Sequence, residues 1–203
     1  MTTPETRRRR DAALAGHVAD EAGARVGLAD DAGPVRATAL GALARMNRLG
    51  PADLVAGMTD ASADVRRRAC ELSPLTAPDP AVEDAVVAAL ADQDVLVVEA
   101  ACYGLGELGS RARSGTVDAL AGVATTHPDP LGREAAVAAL GAIGDAAGLP
   151  AILAATADKP AIRRRAVLAL APFAGPEVDA ALARARGDRD WQVRQTAEDL
   201  ENP

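Results

Sequence analysis

The stretch Val95 to Gly109, VLVVEAACYGLGELG, decides the architecture of this 203-residue chain. Taken alone it reads as a buried strand running into a G-x-G-x-x-G turn, with Gly104, Gly106 and Gly109 as the glycines that let a backbone approach a dinucleotide pyrophosphate. That reading needs the glycines to stand between a strand and a new helix, with an acidic residue about 20 positions on to close a βαβ unit. Gly109 instead leads into SRARSG, a loop. The alternative is that the glycines close a helix.

Internal repetition chooses between the two. Aligning on an alanine gives VRATA at Val35 to Ala39, VRRRA at Val65 to Ala69, VVEAA at Val97 to Ala101, GREAA at Gly132 to Ala136, IRRRA at Ile162 to Ala166 and VRQTA at Val193 to Ala197. The aligned alanines are 30, 32, 35, 30 and 31 residues apart, and an aspartate stands shortly before each segment: Asp31, Asp60, Asp92, Asp129, Asp158 and Asp188. Within a copy the apolar positions recur at helical spacing, as in Ile162, Ala166, Ala169 and Leu170. Pro34, Pro130 and Pro160 fall near the helix starts, where a missing N–H costs little. A second amphipathic segment precedes five of the six: residues 51–58, 80–91, 115–124, 148–157 and 176–185. Each repeat therefore reads as a helical hairpin. In that frame Gly104, Gly106 and Gly109 match Ala139, Gly141 and Gly144 near the end of a helix, and the cofactor reading falls.

Composition agrees with an all-α chain. Phe173, Tyr103 and Trp191 are the only aromatics, and an alanine-rich core requires helices that approach closely. The formal net charge of -7 argues against general nucleic-acid binding, which needs a basic surface. Cys70 and Cys102 are the only cysteines, and no secretory apolar segment follows Arg7 to Arg10; both features point to a reducing cytoplasm. No apolar run approaches the length of a membrane span.

Aspartate, then Val-Arg, then Ala and Ala-Leu on the second helix of a hairpin repeating about every 31 residues resembles the HEAT repeat family, in the short bacterial form also seen in phycobilin lyases. The resemblance implies a right-handed α-solenoid of about six hairpins, residues 19–203, behind an N-terminal cap at residues 1–18. It also implies a ladder in which the turn aspartate and the arginine opening the second helix stack from repeat to repeat. The matching arginines are Arg36, Arg66, Arg133, Arg163 and Arg194, with Val98 at that place in the third repeat.

Relatives that do chemistry can be compared residue by residue. Deoxyhypusine hydroxylase holds two irons through repeated His-Glu pairs, whereas His17 here is followed by Val18 and His127 by Pro128. HEAT-like DNA glycosylases need a basic, aromatic concavity, which this acidic chain with one tryptophan does not supply. There is no C-x-x-C, no G-x-S-x-G elbow, no P-loop and no histidine placed to activate a cysteine. Cys70 and Cys102 read as small apolar residues in neighbouring repeats, beyond disulfide reach. No catalytic residue, metal or cofactor is expected.

What remains is binding. In this family the second and sixth positions after the first apolar residue of each second helix line the concave face. They read Ala37 and Gly41, Arg67 and Glu71, Glu99 and Tyr103, Glu134 and Ala138, Arg164 and Leu168, Gln195 and Asp199. Tyr103 is the only aromatic in the row and belongs to a residue type enriched at binding hot spots; Glu99 and Glu107 lie one turn on either side. The expected contact residues are Arg67, Glu71, Glu99, Tyr103, Glu107, Glu134 and Arg164. Trp191 is expected to seal a turn, and Arg7 to Arg10 to decorate the cap. The sequence thus predicts a non-catalytic, cytoplasmic interaction scaffold for a protein partner, favoured as a monomer. A module holding a small molecule for an associated protein is the alternative, and nucleic-acid binding ranks behind both.

Overall fold

The computed structural model describes residues 3–201; the outermost ends of the expected cap and repeat array, residues 1–2 and 202–203, lie outside that range. Thirteen α-helices and no strand occur among the described residues. They fall into two compact units, residues 1–104 and 105–203.

Unit 1 holds α1 (Pro4–His17), α2 (Glu21–Leu28), α3 (Gly33–Arg45), α4 (Pro51–Met58), α5 (Ala63–Leu72) and α6 (Pro80–Ala89), and most of α7 (Val95–Gly106), which runs through the boundary. The hairpins α2–α3 and α4–α5 pack within themselves, while α1, α3 and α5 stack side by side as one layer and α4 meets α6 in the other. Unit 2 continues with α8 (Ser114–Thr126), α9 (Pro130–Ile143), α10 (Leu149–Ala155), α11 (Pro160–Ala169), α12 (Pro176–Arg186) and α13 (Trp191–Glu201). Here α9, α11 and α13 form the layer of second helices, and α8 packs beside α10.

The local sequence starts these helices where the physics asks. Prolines occupy the first turn of α3, α4, α6, α9, α11 and α12, where their lost N–H has no helical acceptor. Asp20, Asp79 and Asp129 cap α2, α6 and α9 by accepting backbone N–H groups at 2.8–2.9 Å; such caps are worth about 1 kcal/mol each. The aligned alanines Ala39, Ala69, Ala101, Ala136, Ala166 and Ala197 are all fully buried. Around them the apolar volume is leucine, isoleucine and valine, as in the cluster of Ala15, Ala24, Ala42 and Leu43 in unit 1 and that of Val167, Ala185, Val193 and Ala197 in unit 2.

The residues that suggested a nucleotide turn do something else. Gly104 and Gly106 lie inside α7, so the stretch is helical from Val95 to Gly106. A Cβ at Gly104 would come within 2.9 Å of the Cys70 carbonyl oxygen on α5, which makes this glycine the point where two helices pass at backbone distance. Gly109 opens a short 3-10 turn with φ +55°, past the helix.

Candidate functional site

Two faces of the hairpins carry polar chemistry: the turn edge and the face of the second helices.

On the turn edge the arginines bond forward and backward. Arg36 donates Nε and Nη2 to the Asp60 carboxylate at 2.8 and 2.6 Å, while its Nη1 donates to the carbonyls of Asp30 and Asp31 at 2.8 and 3.0 Å. Arg66 does the same with Asp92, at 2.6 and 2.9 Å, and with the carbonyls of Asp60 and Ala61. In unit 2, Arg133 forks onto Asp158 at 2.7 and 3.0 Å and Arg163 onto Asp188 at 2.8 and 2.7 Å. Arg194 keeps the backward bonds, from Nη1 to the carbonyls of Asp188 and Arg189. Bidentate pairing of this kind is the strongest geometry open to a guanidinium and a carboxylate. Each of Asp60, Asp92, Asp158 and Asp188 also accepts a backbone N–H from its own turn at 2.7–2.9 Å. The arginine hydrogen bond, outweighing burial, holds all four carboxyls below the usual carboxylate range.

Three positions differ from the sequence reading. The first ladder carboxylate is Asp30 rather than Asp31, because Arg8 of α1 donates to it at 2.6 Å. Arg8 therefore joins the ladder instead of merely decorating the cap, a role that its distance of 22 residues from Asp30 could have suggested. In the fourth repeat the ladder position is His127, whose carbonyl takes the Arg133 Nη1 at 2.8 Å as the carbonyl of Asp30 takes that of Arg36. Asp129, two residues later, is committed to capping α9. Since the arginine place before it is Val98, both members of that rung are absent from the sequence together. Trp191 does not seal a turn: it opens α13 with 64% of its surface exposed.

On the face of the second helices, Glu99 and Tyr103 sit one turn apart on α7, both exposed, Tyr103 at 53%. Glu107 is also exposed and comes just after the end of that helix. Arg67, Glu71, Glu134 and Arg164 are half-buried. Glu71 is engaged by two arginines, Arg68 at 3.0 Å and Arg67 at 3.7 Å. Glu134 stands 3.6 Å from Arg165, and Arg164 donates to the Gln192 side chain at 3.4 Å. In unit 1 the layer of α1, α3 and α5 encloses a groove of about 380 Å³, which brings Arg67 and Glu71 together with Ala37 and Gly41. Arg9, Ala13, Thr38, Ala42, Arg45, Asp64 and Arg68 complete most of its lining. The sequence row picked out four of these residues but not Arg9 or Arg45, which lie outside the two positions counted per repeat.

Elsewhere the chemistry is quiet. Cys70 and Cys102 are free and fully buried, and burial pushes each thiol up to about 12, far from a reactive thiolate at neutral pH. Among the described residues no group of three His, Cys, Asp or Glu side chains is placed to share a metal ion, and no helix is long and apolar enough to cross a membrane.

Stacked helical hairpins joined by a forward-reaching Arg–Asp ladder define an α-helical repeat protein. A family model for HEAT repeats matches residues 51–131 and again residues 117–200, and the chain belongs to the HEAT repeat family. Among solved structures it is similar to a designed armadillo repeat protein, at 16% identity over 88% of this chain and 97% of that one with a TM-score of 0.63. It is also similar to YibA of Escherichia coli, at 15% identity over 97% of this chain and 74% of that one with a TM-score of 0.68. Human deoxyhypusine hydroxylase shares the fold at 20% identity, with 96% and 78% of the two chains covered and a TM-score of 0.51. No curated protein sequence matches the chain. At these identities the likeness speaks for the fold.

Proposed function

We propose that the chain is a non-catalytic protein-interaction scaffold of the cytoplasm, which binds a protein partner on the face formed by its second helices. The carrying observation is Tyr103, more than half exposed in the body of α7 with an exposed Glu99 one turn before it, whereas the other exposed aromatic, Trp191, stands at the first residue of α13. Tyrosine combines a rigid apolar ring with a polar tip, the combination that interfaces favour. The contact residues are Arg67, Glu71, Glu99 and Tyr103 in unit 1 and Glu107, Glu134 and Arg164 in unit 2, each unit presenting its own, and the turn-edge arginines Arg36, Arg66, Arg133, Arg163 and Arg194 hold the hairpins that present them. Free buried thiols fit a reducing compartment.

The test is capture from native lysate by the wild-type chain and by a Glu99→Arg, Tyr103→Ala variant whose helicity is checked by circular dichroism, with binding of the purified captured protein then measured directly. A partner bound by the wild type and weakened at least tenfold, about 1.4 kcal/mol, by the double substitution supports the reading. A partner held equally by both overturns this site.

A further inference from the structure

The groove of unit 1 is locally basic in an acidic chain. Four guanidinium groups line it, Arg9, Arg45, Arg67 and Arg68, against two carboxylates, Asp64 and Glu71. Those two are spoken for. Glu71 takes Arg68 at 3.0 Å and Arg67 at 3.7 Å, and Asp64 lies 3.8 Å from Arg67. Arg9 donates only Nε, to the Thr38 hydroxyl at 3.3 Å, and its Nη groups, like the whole guanidinium of Arg45, have no carboxylate among the described residues. Both side chains are exposed, on neighbouring helices α1 and α3. Between them the groove is lined by Ala13, Ala37, Gly41 and Ala42, with the Arg68 guanidinium lying over Gly41, its Nη2 2.9 Å from where a Cβ would stand. The groove is also of a size that small-molecule and peptide side-chain sites occupy.

We infer that this groove receives an acidic segment of a partner protein, with carboxylates on Arg9 and Arg45 and small or apolar side chains against the alanine floor. The inference rests on the scaffold reading and adds the chemistry of the partner. Charge complementarity selects the occupant: two uncommitted guanidiniums pair carboxylates in fork geometry. A long polyanion is disfavoured because the chain carries a net charge of -7, and repulsion from the remaining surface grows with polyanion length while a short segment stays within the groove.

The experiment titrates purified full-length chain with a fluorescein-labelled peptide of alternating glutamate and alanine, its lysine counterpart and an oligothymidylate, at low and physiological salt. The variants are Arg9→Ser with Arg45→Ser, and Arg7→Ser with Arg10→Ser as a control that removes the same charge from α1 outside the groove. The expected result is binding of the glutamate peptide, weakened roughly tenfold by the groove substitutions and about twofold or less by the control, with amide NMR shifts centred on Ala37 and Gly41. Equal loss in both variants, preference for the lysine peptide, or tight binding of the oligothymidylate with none of the glutamate peptide overturns the inference. The outcomes separate from those of the scaffold test. A partner lost on Tyr103→Ala but unaffected by the groove substitutions keeps the scaffold and removes the acidic segment, whereas loss of groove binding alone leaves Tyr103 untouched.

Discussion

Units 1 and 2 have the same turn edge and different helix faces. Along the turn, Arg36 and Arg66 in one unit and Arg133 and Arg163 in the other make the same forked bonds at 2.6–3.0 Å. Across the second helices the charges diverge. Unit 2 pairs its inner polar groups among themselves, Glu134 beside Arg165, Arg164 on Gln192 and Gln195 on Asp199, although the buried Arg165 Nε makes no hydrogen bond, and it leaves Leu168 43% exposed. Unit 1 leaves two arginines uncommitted over a floor of small residues. One repeat frame therefore carries two independent layers of information, with stability written on the turn and recognition on the helix face.

That separation can be broken by experiment. The largest effect is expected from the turn. Arg163 is the most buried ladder arginine, its side chain 8% exposed, and Arg163→Ala strands Asp188 with only its backbone donor. Denaturant unfolding should show a loss of about 3 kcal/mol, and a loss below about 1 kcal/mol would mean that the rung is decorative. Arg66→Ala, whose side chain is 20% exposed, should cost less. Because both cysteines lie in unit 1, their alkylation rate at neutral pH should rise more for Arg66→Ala than for Arg163→Ala.

A middling effect belongs to helix packing. A Cβ at Gly141 of α9 would stand 2.7 Å from the Ala169 Cα on α11, so Gly141→Ala must push two backbones apart, at about 2 kcal/mol. Gly122, in the same unit, has nothing within 4 Å of its Cβ position. Gly122→Ala should instead stabilise by up to about 1 kcal/mol. Equal effects at the two sites would contradict the close approach of α9 and α11.

The smallest effect is in the pH profile. Asp60, Asp92, Asp158 and Asp188 titrate below their ordinary value in the folded chain because arginines grip them. The folded state thus binds fewer protons than the unfolded one. The ladder contribution is whole above the unfolded value of about 3.9 and is lost as pH falls through the lower folded values. Melting temperature should be flat from pH 7 to about 5 and fall below about pH 4, and Asp92→Asn should make that acid limb shallower. An unchanged limb would place the acid sensitivity elsewhere.

The fold was legible because one alanine per repeat must sit where helices touch, and six of them mark the frame before any contact is known. The ladder was legible in its arginines but less so in its carboxylates. Asp30 and Asp31 are equivalent on paper, and Asp129 looks like a ladder residue until His127 is seen to hold the place. Spacing cannot tell a side chain that caps its own helix from one that reaches a neighbour. The groove was hidden for a different reason: Arg9, Arg45 and Arg68 come from three helices and three places in the repeat, so no periodic count groups them. Trp191 shows the limit from the other side, since an aromatic beside a helix start is as compatible with exposure as with burial.

The forward reach of each arginine has a consequence for the order in which the chain can be built. Arg36 is anchored by the carbonyls of its own turn, and its fork points to a carboxylate 24 residues further along; Arg66, Arg133 and Arg163 are arranged alike, 25 or 26 residues ahead of theirs. During synthesis from the N-terminus, the arginine that receives Asp60, Asp92, Asp158 or Asp188 is made before the turn that carries the carboxylate. Each hairpin with a forward-reaching arginine is thus a template for the next, the third, with Val98 in that place, being the exception, and the ladder gives the protein a direction of growth as well as a seam.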